Sequence, residues 1–254
     1  MRERFAGKRV LVTGSTRGIG HAAARRLLEE GATVILHGRT PQAVAHATDA
    51  FGREFGDRAS GLAADLADRG QCRRLSARVG AVDVLVNCAG VYEEVPIEAA
   101  DDAHWRRILD VNTTAPWLLA QALLPGLRER AGVIVNVSSD SGLLGYPGSA
   151  VYCASKGALI GLTRALAVEL APAVRVLAVC PGPVETDMMR DAMSASSDPQ
   201  AVRESWQSAT LLGRIAAPEE IAAAIAFAAS PDCSYATGTL LSVDGGTTSG
   251  RRVG

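Results

Sequence analysis

The sequence predicts an α/β fold in which helices cover both faces of one parallel sheet, and three observations support this. Short runs rich in β-branched residues alternate along the whole chain with longer helical patterns. The strand-like runs are almost continuously apolar, as expected for strands that are buried on both faces. The length of 254 residues is normal for one doubly wound domain, and 48% hydrophobic residues can fill a large core. We therefore expect a single domain over residues 1–254.

The first half of the chain contains three strand–helix units and a fourth strand. Gly31 closes the first helical pattern, because glycine readily adopts the backbone conformation that ends helices. The runs RVLVTG, TVILHG, ASGLAADL and VDVLVNCAG are rich in Val, Ile and Leu and predict strands, at 9–14, 33–38, 59–66 and 82–90. The intervening segments have the apolar spacing of helices, at 18–31, 42–56 and 70–80.

The second half continues this alternation. A helix is predicted over residues 103–128, with a kink or break at Pro116, which lacks the N–H that a helix interior needs. Residues 186–213 are polar, Met-rich and predicted to be irregular. They follow the carboxyl end of a strand, where open α/β sheets bind ligands, so they are a candidate substrate lid. The remaining strands are predicted at 132–139, 174–182 and 239–246, and the remaining helices at 150–170 and 218–230.

Composition and cysteine spacing exclude several classes of function. The formal net charge is −1 and no basic block stands out, so we predict neither a nucleic-acid partner nor a membrane partner. The five cysteines are widely spaced and include no CxxC pair, so we predict neither a disulfide framework nor a metal site. No apolar signal segment and no run of 18 apolar residues is present, so we predict a cytoplasmic protein.

The segment TGSTRGIG, at residues 13–20, joins the first predicted strand to the first predicted helix. Gly14, Gly18 and Gly20 suit a dinucleotide site, which needs a tight turn, close approach of the backbone to a pyrophosphate, and close packing of helix on strand. The N-terminus of the helix then offers free N–H groups to phosphate oxygens. Glycines that merely form a turn are the alternative.

The end of the second strand predicts which dinucleotide binds. A site for NAD(H) has an acidic residue there, which holds the ribose hydroxyls. This chain instead has His37, Gly38, Arg39 and Thr40. Arg39 suits a 2′-phosphate, and Arg17 in the glycine loop adds a second positive charge. We therefore expect NADP(H) rather than NAD(H). The alternative is that both arginines are solvated surface residues.

An ordered set of motifs runs through nearly the whole chain. The glycine loop is followed by NCAG at 87–90, VN at 111–112, SS at 138–139, YCASK at 152–156 and PGPVETDM at 181–188. This set resembles the short-chain dehydrogenase/reductase family. The resemblance implies a Rossmann-type fold with strand order 3-2-1-4-5-6-7, hydride transfer between a nicotinamide cofactor and a ketone or secondary alcohol, and assembly as a homotetramer or dimer.

The resemblance implies a catalytic tetrad of Asn112, Ser139, Tyr152 and Lys156. Tyr152 and Lys156 are four residues apart, which places them on one face of a helix. A nearby ammonium, helped by the positive charge of the nicotinamide in the oxidised cofactor, favours the phenolate. We therefore expect Lys156 and the cofactor to lower the pKa of Tyr152, which then acts as acid in reduction and base in oxidation. Ser139 would hold the substrate oxygen, and Asn112 would hold a water that links Lys156 to solvent. Taken alone, Tyr152 and Lys156 are more typical of an ordinary surface pair.

The resemblance also implies further contacts. For Asn87, a purely structural role is the alternative. The expected substrate contacts are Ser139, Ser141, Leu143, Tyr146, Tyr152 and Pro183. The expected cofactor contacts are Gly14, Ser15, Thr16, Arg17, Gly18, Ile19, Gly20, Arg39, Asp65, Leu66, Asn87, Ala89, Gly90, Tyr152, Lys156, Pro181, Gly182, Val184 and Thr186.

The sequence leaves the substrate open between two branches of the family. A 3-oxoacyl-carrier-protein reductase would use basic residues near the entrance to meet an acidic carrier protein, and Arg128 and Arg130 are candidates. A solvated helix end is the alternative for both, and Ala173 stands where a further basic residue is expected. A sugar or polyol dehydrogenase is the other branch. A non-catalytic NADP(H)-binding sensor is a different class, which the presence of both Tyr152 and Lys156 disfavours.

Overall fold

The computed structural model describes residues 3–194 and 196–250 and contains a seven-stranded parallel sheet. The strands are β1 Arg9–Val12, β2 Thr33–Gly38, β3 Ala59–Ala63, β4 Val84–Asn87, β5 Val133–Val137, β6 Arg175–Pro181 and β7 Leu240–Val243. Their order in the sheet is β3-β2-β1-β4-β5-β6-β7, which confirms the predicted topology. Most strands end two or three residues earlier than predicted, and the residues left over form the loops at the carboxyl edge.

Helices cover both faces of the sheet. The helices of the described residues are α1 Gly18–Glu29, α2 Pro41–Phe55, α3 Arg69–Val79, α4 Asp102–Leu109, α5 Ala115–Glu129, α6 Ala150–Leu170, α7 Asp187–Ser194, α8 Pro199–Ala209 and α9 Pro218–Ala229. Helices α1 and α9 pack together on one face, and α3 and α5 pack together on the other. Because side chains alternate along a strand, Val10 and Val12 of β1 join the core under α1 and α9, whereas Leu11 joins the core under α3 and α5.

The predicted break near Pro116 is present and takes the form of a π-helical turn, Asp110–Thr114, between α4 and α5. Pro116 occupies the first turn of α5. It has no N–H to donate to the carbonyl of Asn112, four residues earlier, so the regular helical ladder cannot continue through this point. The wide turn places Asn112 at the carboxyl edge of the sheet, and the side chain of Asn112 is fully buried.

The prediction that residues 186–213 are irregular is wrong, because the segment contains α7 and α8. Asp198 accepts a hydrogen bond from the N–H of Ala201 at 3.0 Å and so caps α8, which begins at Pro199. An aspartate followed by a proline is a typical helix start. Ala195 in this lid segment, and residues 1–2 and 251–254 of the predicted domain, lie outside the described residues.

Helix α6 is the one helix of the described residues that is long and apolar enough to span a membrane by length and composition. One side of this helix packs on β6 and buries Lys156, Thr163 and Leu170.

Candidate active site

The four predicted catalytic residues lie together at the carboxyl edge of the sheet. Ser139 follows β5, Asn112 lies in the π turn, and Tyr152 and Lys156 lie in the first two turns of α6. Ser138, the first serine of the SS motif, donates from its Oγ to the backbone oxygen of Lys156 at 2.9 Å. That bond connects the end of β5 to α6, so Ser138 has a structural role. Ser139 is therefore the serine that is available to a substrate.

Lys156 is held deep in this site. Its Nζ donates to the backbone oxygen of Val137 at 3.0 Å and lies 5.7 Å from the centre of the Tyr152 ring. Burial lowers the pKa of Lys156 to about 8, so the ammonium is still mostly charged at neutral pH. A Cβ atom added to Gly90 would lie 3.5 Å from both Nζ of Lys156 and Oδ1 of Asn112, which shows that the two side chains converge beside this glycine.

The amide of Asn112 has a fixed orientation. Its Nδ2 donates to the backbone oxygen of Val91 and to Oγ of Ser155, both at 3.0 Å, and its Oδ1 accepts from the N–H of Val91 at 2.9 Å. These bonds connect the π turn to the loop after β4 and to α6. They place Oδ1 where it can accept a second hydrogen bond from the direction of Lys156.

Tyr152 is enclosed by Tyr92, whose ring meets it edge-on with 4.9 Å between the ring centres. Burial raises the pKa of Tyr152, and a hydrogen bond with Ser139 opposes this rise only in part. The expected lowering by Lys156 is therefore not produced by the residues of the chain. The ammonium lies over the Tyr152 ring, and burial is the largest cause of the rise in the pKa.

Asp140 is a site residue that the sequence reasoning missed. Its Oδ1 accepts from Oγ of Ser139 at 2.9 Å, and its Oδ2 accepts from the hydroxyl of Tyr146 at 2.9 Å. The carboxylate is 7% exposed, and burial raises its pKa. The signal in the sequence is an acidic residue placed directly after Ser139, at the end of an apolar strand.

The glycine loop forms a close backbone cradle. A Cβ on Gly14 would lie 2.7 Å from the Cα of Ala89, and a Cβ on Gly20 would lie 2.3 Å from the backbone oxygen of Gly14. Both contacts are too short for any other residue. Among the described residues no side chain caps the N-terminus of α1, which begins at Gly18, so its N–H groups point into this cradle. A pyrophosphate fits both features.

Ser15 and His37 join the loop to the end of β2. Gly14 donates its N–H to Nδ1 of His37 at 3.2 Å, and Nε2 of His37 lies 3.1 Å from the backbone oxygen of Ala64. Burial lowers the pKa of His37 to about 4, so the ring is neutral and carries its proton on Nε2. The His37 N–H donates to Oγ of Ser15 at 2.9 Å. His37 therefore shapes the loop and adds no charge.

The two predicted phosphate-binding arginines differ in their surroundings. Arg39 is exposed and follows β2, and among the described residues it makes no ion pair. The guanidinium of Arg17 lies 3.8 Å from a carboxylate oxygen of Asp187 and 3.9 Å from one of Asp191, both in α7. Arg17 thus connects the glycine loop to the lid, and Arg39 is the freer cation.

The remaining predicted cofactor residues line the same edge. Asn87 donates to Oδ1 of Asn136 at 2.9 Å, but its own buried Oδ1 has no partner among the described residues, so it can accept from a ligand. Leu66 packs in the core, which leaves only its backbone for a cofactor. Thr16 and Ile19 complete the loop, Asp65 follows β3, Ala89 and Gly90 follow β4, and Pro181, Gly182, Val184 and Thr186 follow or end β6.

The predicted substrate residues are only partly brought together. Ser139, Ser141 and Tyr146 meet at Asp140, and Leu143 is 40% exposed in the same loop. Pro183 instead borders a groove formed with the end of the lid and the end of β7.

Arg128 and Arg130 lie at the end of α5, and Arg130 pairs with Asp83 at 3.6 Å, just before β4. This is the amino edge of the sheet, because a helix that precedes a parallel strand ends where that strand begins. The prediction that these arginines border the entrance is therefore wrong within one subunit, because the catalytic residues lie at the opposite, carboxyl edge of the sheet.

Three comparisons relate this chain to known proteins. Residues 14–248 match a family model described as enoyl-(acyl carrier protein) reductase. The chain is 38% identical over 250 residues to meso-2,3-butanediol dehydrogenase of Serratia marcescens, with 96% of each protein covered. It is also 38% identical over 250 residues to a 3-oxoacyl-(acyl-carrier-protein) reductase of Vibrio harveyi, with 94% of this chain and 97% of that protein covered. A solved structure described as a short chain dehydrogenase/reductase family protein matches with a TM-score of 0.86 at 37% identity, covering 97% of this chain and 100% of that one.

Proposed function

The chain belongs to the short-chain dehydrogenase/reductase family of oxidoreductases, and from that premise we propose that it interconverts a ketone and a secondary alcohol with NADP(H). Family membership implies a nicotinamide cofactor and a small-molecule substrate. The observation that carries the finer proposal is that Asn112, Ser139, Tyr152 and Lys156 meet beside the glycine loop. As a dehydrogenase, the enzyme acts on the CH–OH group of its alcohol substrate.

When bound, the nicotinamide supplies or accepts the hydride. Ser139 donates a hydrogen bond to the substrate oxygen and positions it. In reduction, the proton on the hydroxyl of Tyr152 passes to the carbonyl oxygen, and in oxidation it returns to Tyr152. The raised pKa of Tyr152 keeps this hydroxyl protonated at neutral pH, which suits reduction. The charged Lys156 stabilises the phenolate that forms, and Asn112 holds the proton path on the far side of Lys156.

The preference for NADP(H) over NAD(H) rests on charge. Arg39 follows β2 and is free to bind a 2′-phosphate with two parallel hydrogen bonds, and no acidic residue occupies the position that would hold ribose hydroxyls. Arg17 contributes a second positive charge once it leaves Asp187 and Asp191.

We infer a small or medium keto substrate. The two named relatives differ in substrate, because one name specifies a butanediol and the other a 3-oxoacyl-(acyl-carrier-protein). Arg128 and Arg130 give the carrier protein no docking site beside the chain's own pocket, so the carrier thioester is the alternative. We further infer a cytoplasmic homotetramer, with a dimer as alternative, and a single domain over residues 1–254 with residues 186–213 as the lid.

The experiment that tests this function is NADPH consumption with a panel of an acetoacetyl thioester, a crotonyl thioester, small ketones and keto-sugars, and with NADH in parallel. Wild type should reduce ketones, and Tyr152→Phe should lose roughly 1,000-fold or more in turnover while still binding NADPH. Tyr235→Phe is the matched control, because Tyr235 is fully exposed. Equal activity of Tyr152→Phe and wild type would refute the mechanism. NADPH binding without turnover of any substrate would indicate a non-catalytic sensor.

A further inference from the structure

Asp140 is a buried carboxylate without a cation. Its side chain accepts hydrogen bonds from the hydroxyls of Ser139, Tyr146 and Ser141, the last at 3.4 Å. Among the described residues no lysine, arginine or histidine forms an ion pair with it, and the charge that acts on it is the negative charge of Asp244. A buried carboxylate that is not paired with a cation costs the fold free energy, and such groups occur mainly at functional sites.

The carboxylate retains room for one more donor. An ionised carboxylate oxygen accepts about two hydrogen bonds. Oδ1 already receives the hydroxyls of Ser139 and Ser141, whereas Oδ2 receives one side-chain donor among the described residues, the hydroxyl of Tyr146. Tyr146, the donor to this oxygen, is itself partly exposed.

The free position lies next to the reacting group. Asp140 adjoins Ser139 in the chain and accepts its hydrogen bond, and its charge is close enough to act on the hydroxyl of Tyr152. A ligand whose reacting oxygen contacts Ser139 and Tyr152 therefore places the neighbouring carbon beside Asp140. A hydroxyl on that carbon can donate to Oδ2, whereas a methyl or methylene group would leave the carboxylate without this donor.

We propose that Asp140, held in place by Tyr146, selects substrates with a hydroxyl group on the carbon next to the reacting one. The substrate class is α-hydroxy ketones in reduction and vicinal diols in oxidation. This inference rests on the proposed function and narrows its substrate. A β-keto thioester carries no such donor, so the inference also separates the two branches of substrates.

The test compares two ketones of nearly equal shape, hydroxyacetone and butanone, which differ by a hydroxyl in place of a methyl group. Wild type should favour hydroxyacetone by about 10-fold or more in kcat/KM. Asp140→Leu should lower this ratio by about 10- to 100-fold, the range expected for a hydrogen bond to a charged group. Asp140→Asn, which keeps the shape but loses the charge, should lower it less. Tyr146→Phe should lower it modestly, because the carboxylate loses its anchor.

The outcomes separate this inference from the proposed function. If the variants lose activity on both ketones equally, so that the ratio is unchanged, Asp140 only positions Ser139 and the inference is wrong. If wild type reduces butanone or the thioester as well as hydroxyacetone, the inference is also wrong while the proposed function stands. No turnover of any carbonyl compound would refute both. If Asp140→Leu does not fold, the ratio for Asp140→Asn decides.

Discussion

Burial controls the acid–base behaviour of the individual residues in this site. It raises the pKa of Tyr152 and lowers the pKa of Lys156 to about 8, because in both cases the charged form loses its water. At neutral pH the pair is therefore a protonated tyrosine beside a charged lysine. The lysine keeps its charge at the expense of stability, and a hydrogen bond to the backbone oxygen of Val137 compensates in part.

Replacing this lysine should expose that cost. Below pH 8 the ammonium is buried in the folded state and solvated in the unfolded state, so its burial lowers the free energy of unfolding. The folded state loses the proton near pH 8 and the unfolded state near pH 10.5, so this penalty disappears between these two pH values. The free energy of unfolding of wild type should therefore rise relative to that of Lys156→Met by about 3 kcal/mol between pH 8 and 10.5. Urea denaturation of both proteins at a series of pH values measures this difference. A difference that stays constant with pH would contradict the burial argument. Cys88 and Cys180, which also face Lys156, are present in both proteins.

Charge at the end of β2 should determine the choice of cofactor. Arg39→Asp removes the partner of the 2′-phosphate and repels it, so kcat/KM with NADPH should fall by about 10- to 100-fold relative to NADH. Steady-state kinetics with both cofactors measures this ratio. Arg78→Asp is the charge-matched control, because Arg78 is an exposed arginine in the last turn of α3. An unchanged ratio for Arg39→Asp would remove Arg39 from the phosphate site.

The sequence predicts some of the site residues and their roles but not others. The motif order placed Ser139, Tyr152 and Lys156, and the structure brings them together. The role of Asp140 was not accessible, because it depends on Tyr146 folding back across six residues of loop. The rise in the pKa of Tyr152 that burial causes was not accessible either, since burial is a property of the whole fold rather than of the Tyr152–Lys156 spacing.

At the scale of elements, the glycine loop depends on one very close approach. In Gly20→Ala the new Cβ would meet the backbone oxygen of Gly14 at 2.3 Å, and no side-chain rotation can relieve a clash with backbone. We expect a loss of about 1–3 kcal/mol in the free energy of unfolding and at least about 10-fold weaker NADPH binding, measured by thermal unfolding and by fluorescence titration.

Gly52→Ala is the control for this loop. Gly52 lies inside α2, and a Cβ there would meet nothing within 4 Å. This variant should gain about 0.5–1 kcal/mol in stability, because alanine loses less backbone freedom in a helix, and it should bind NADPH like wild type. Unchanged NADPH binding by Gly20→Ala would show that the loop can move and would contradict the clash argument.

Two elements show what sequence patterns do and do not determine. Pro116 correctly predicted a break, because a missing N–H acts locally. The lid helices were missed because their polar composition masked the start signal of Asp198 and Pro199. Their apolar side chains, such as Met189 and Met193, are buried only through contacts distant in the sequence.

At the scale of the whole molecule, the strand order followed from the alternation of strands and helices and from the family resemblance. Each β–helix–β unit returns the chain to a parallel neighbour, so the sheet is largely determined by local patterns. The same alternation sends all carboxyl ends to one edge, which is why Asn112, Ser139 and Lys156 meet although they come from separate elements.

The expected assembly depends on one exposed face of α6. Ala154, Ala158, Gly161, Ala165 and Val168 are exposed at spacings of three or four residues, and Val168 is 83% exposed. Such a small, apolar face suits close packing against a second copy of the chain. Ala158→Arg places a charge in this face and should shift the protein to a smaller species, measured by size-exclusion chromatography with light scattering. Ala45→Arg, on the exposed side of α2, should assemble like wild type. If Ala158→Arg also keeps the wild-type mass, the subunits meet through another surface.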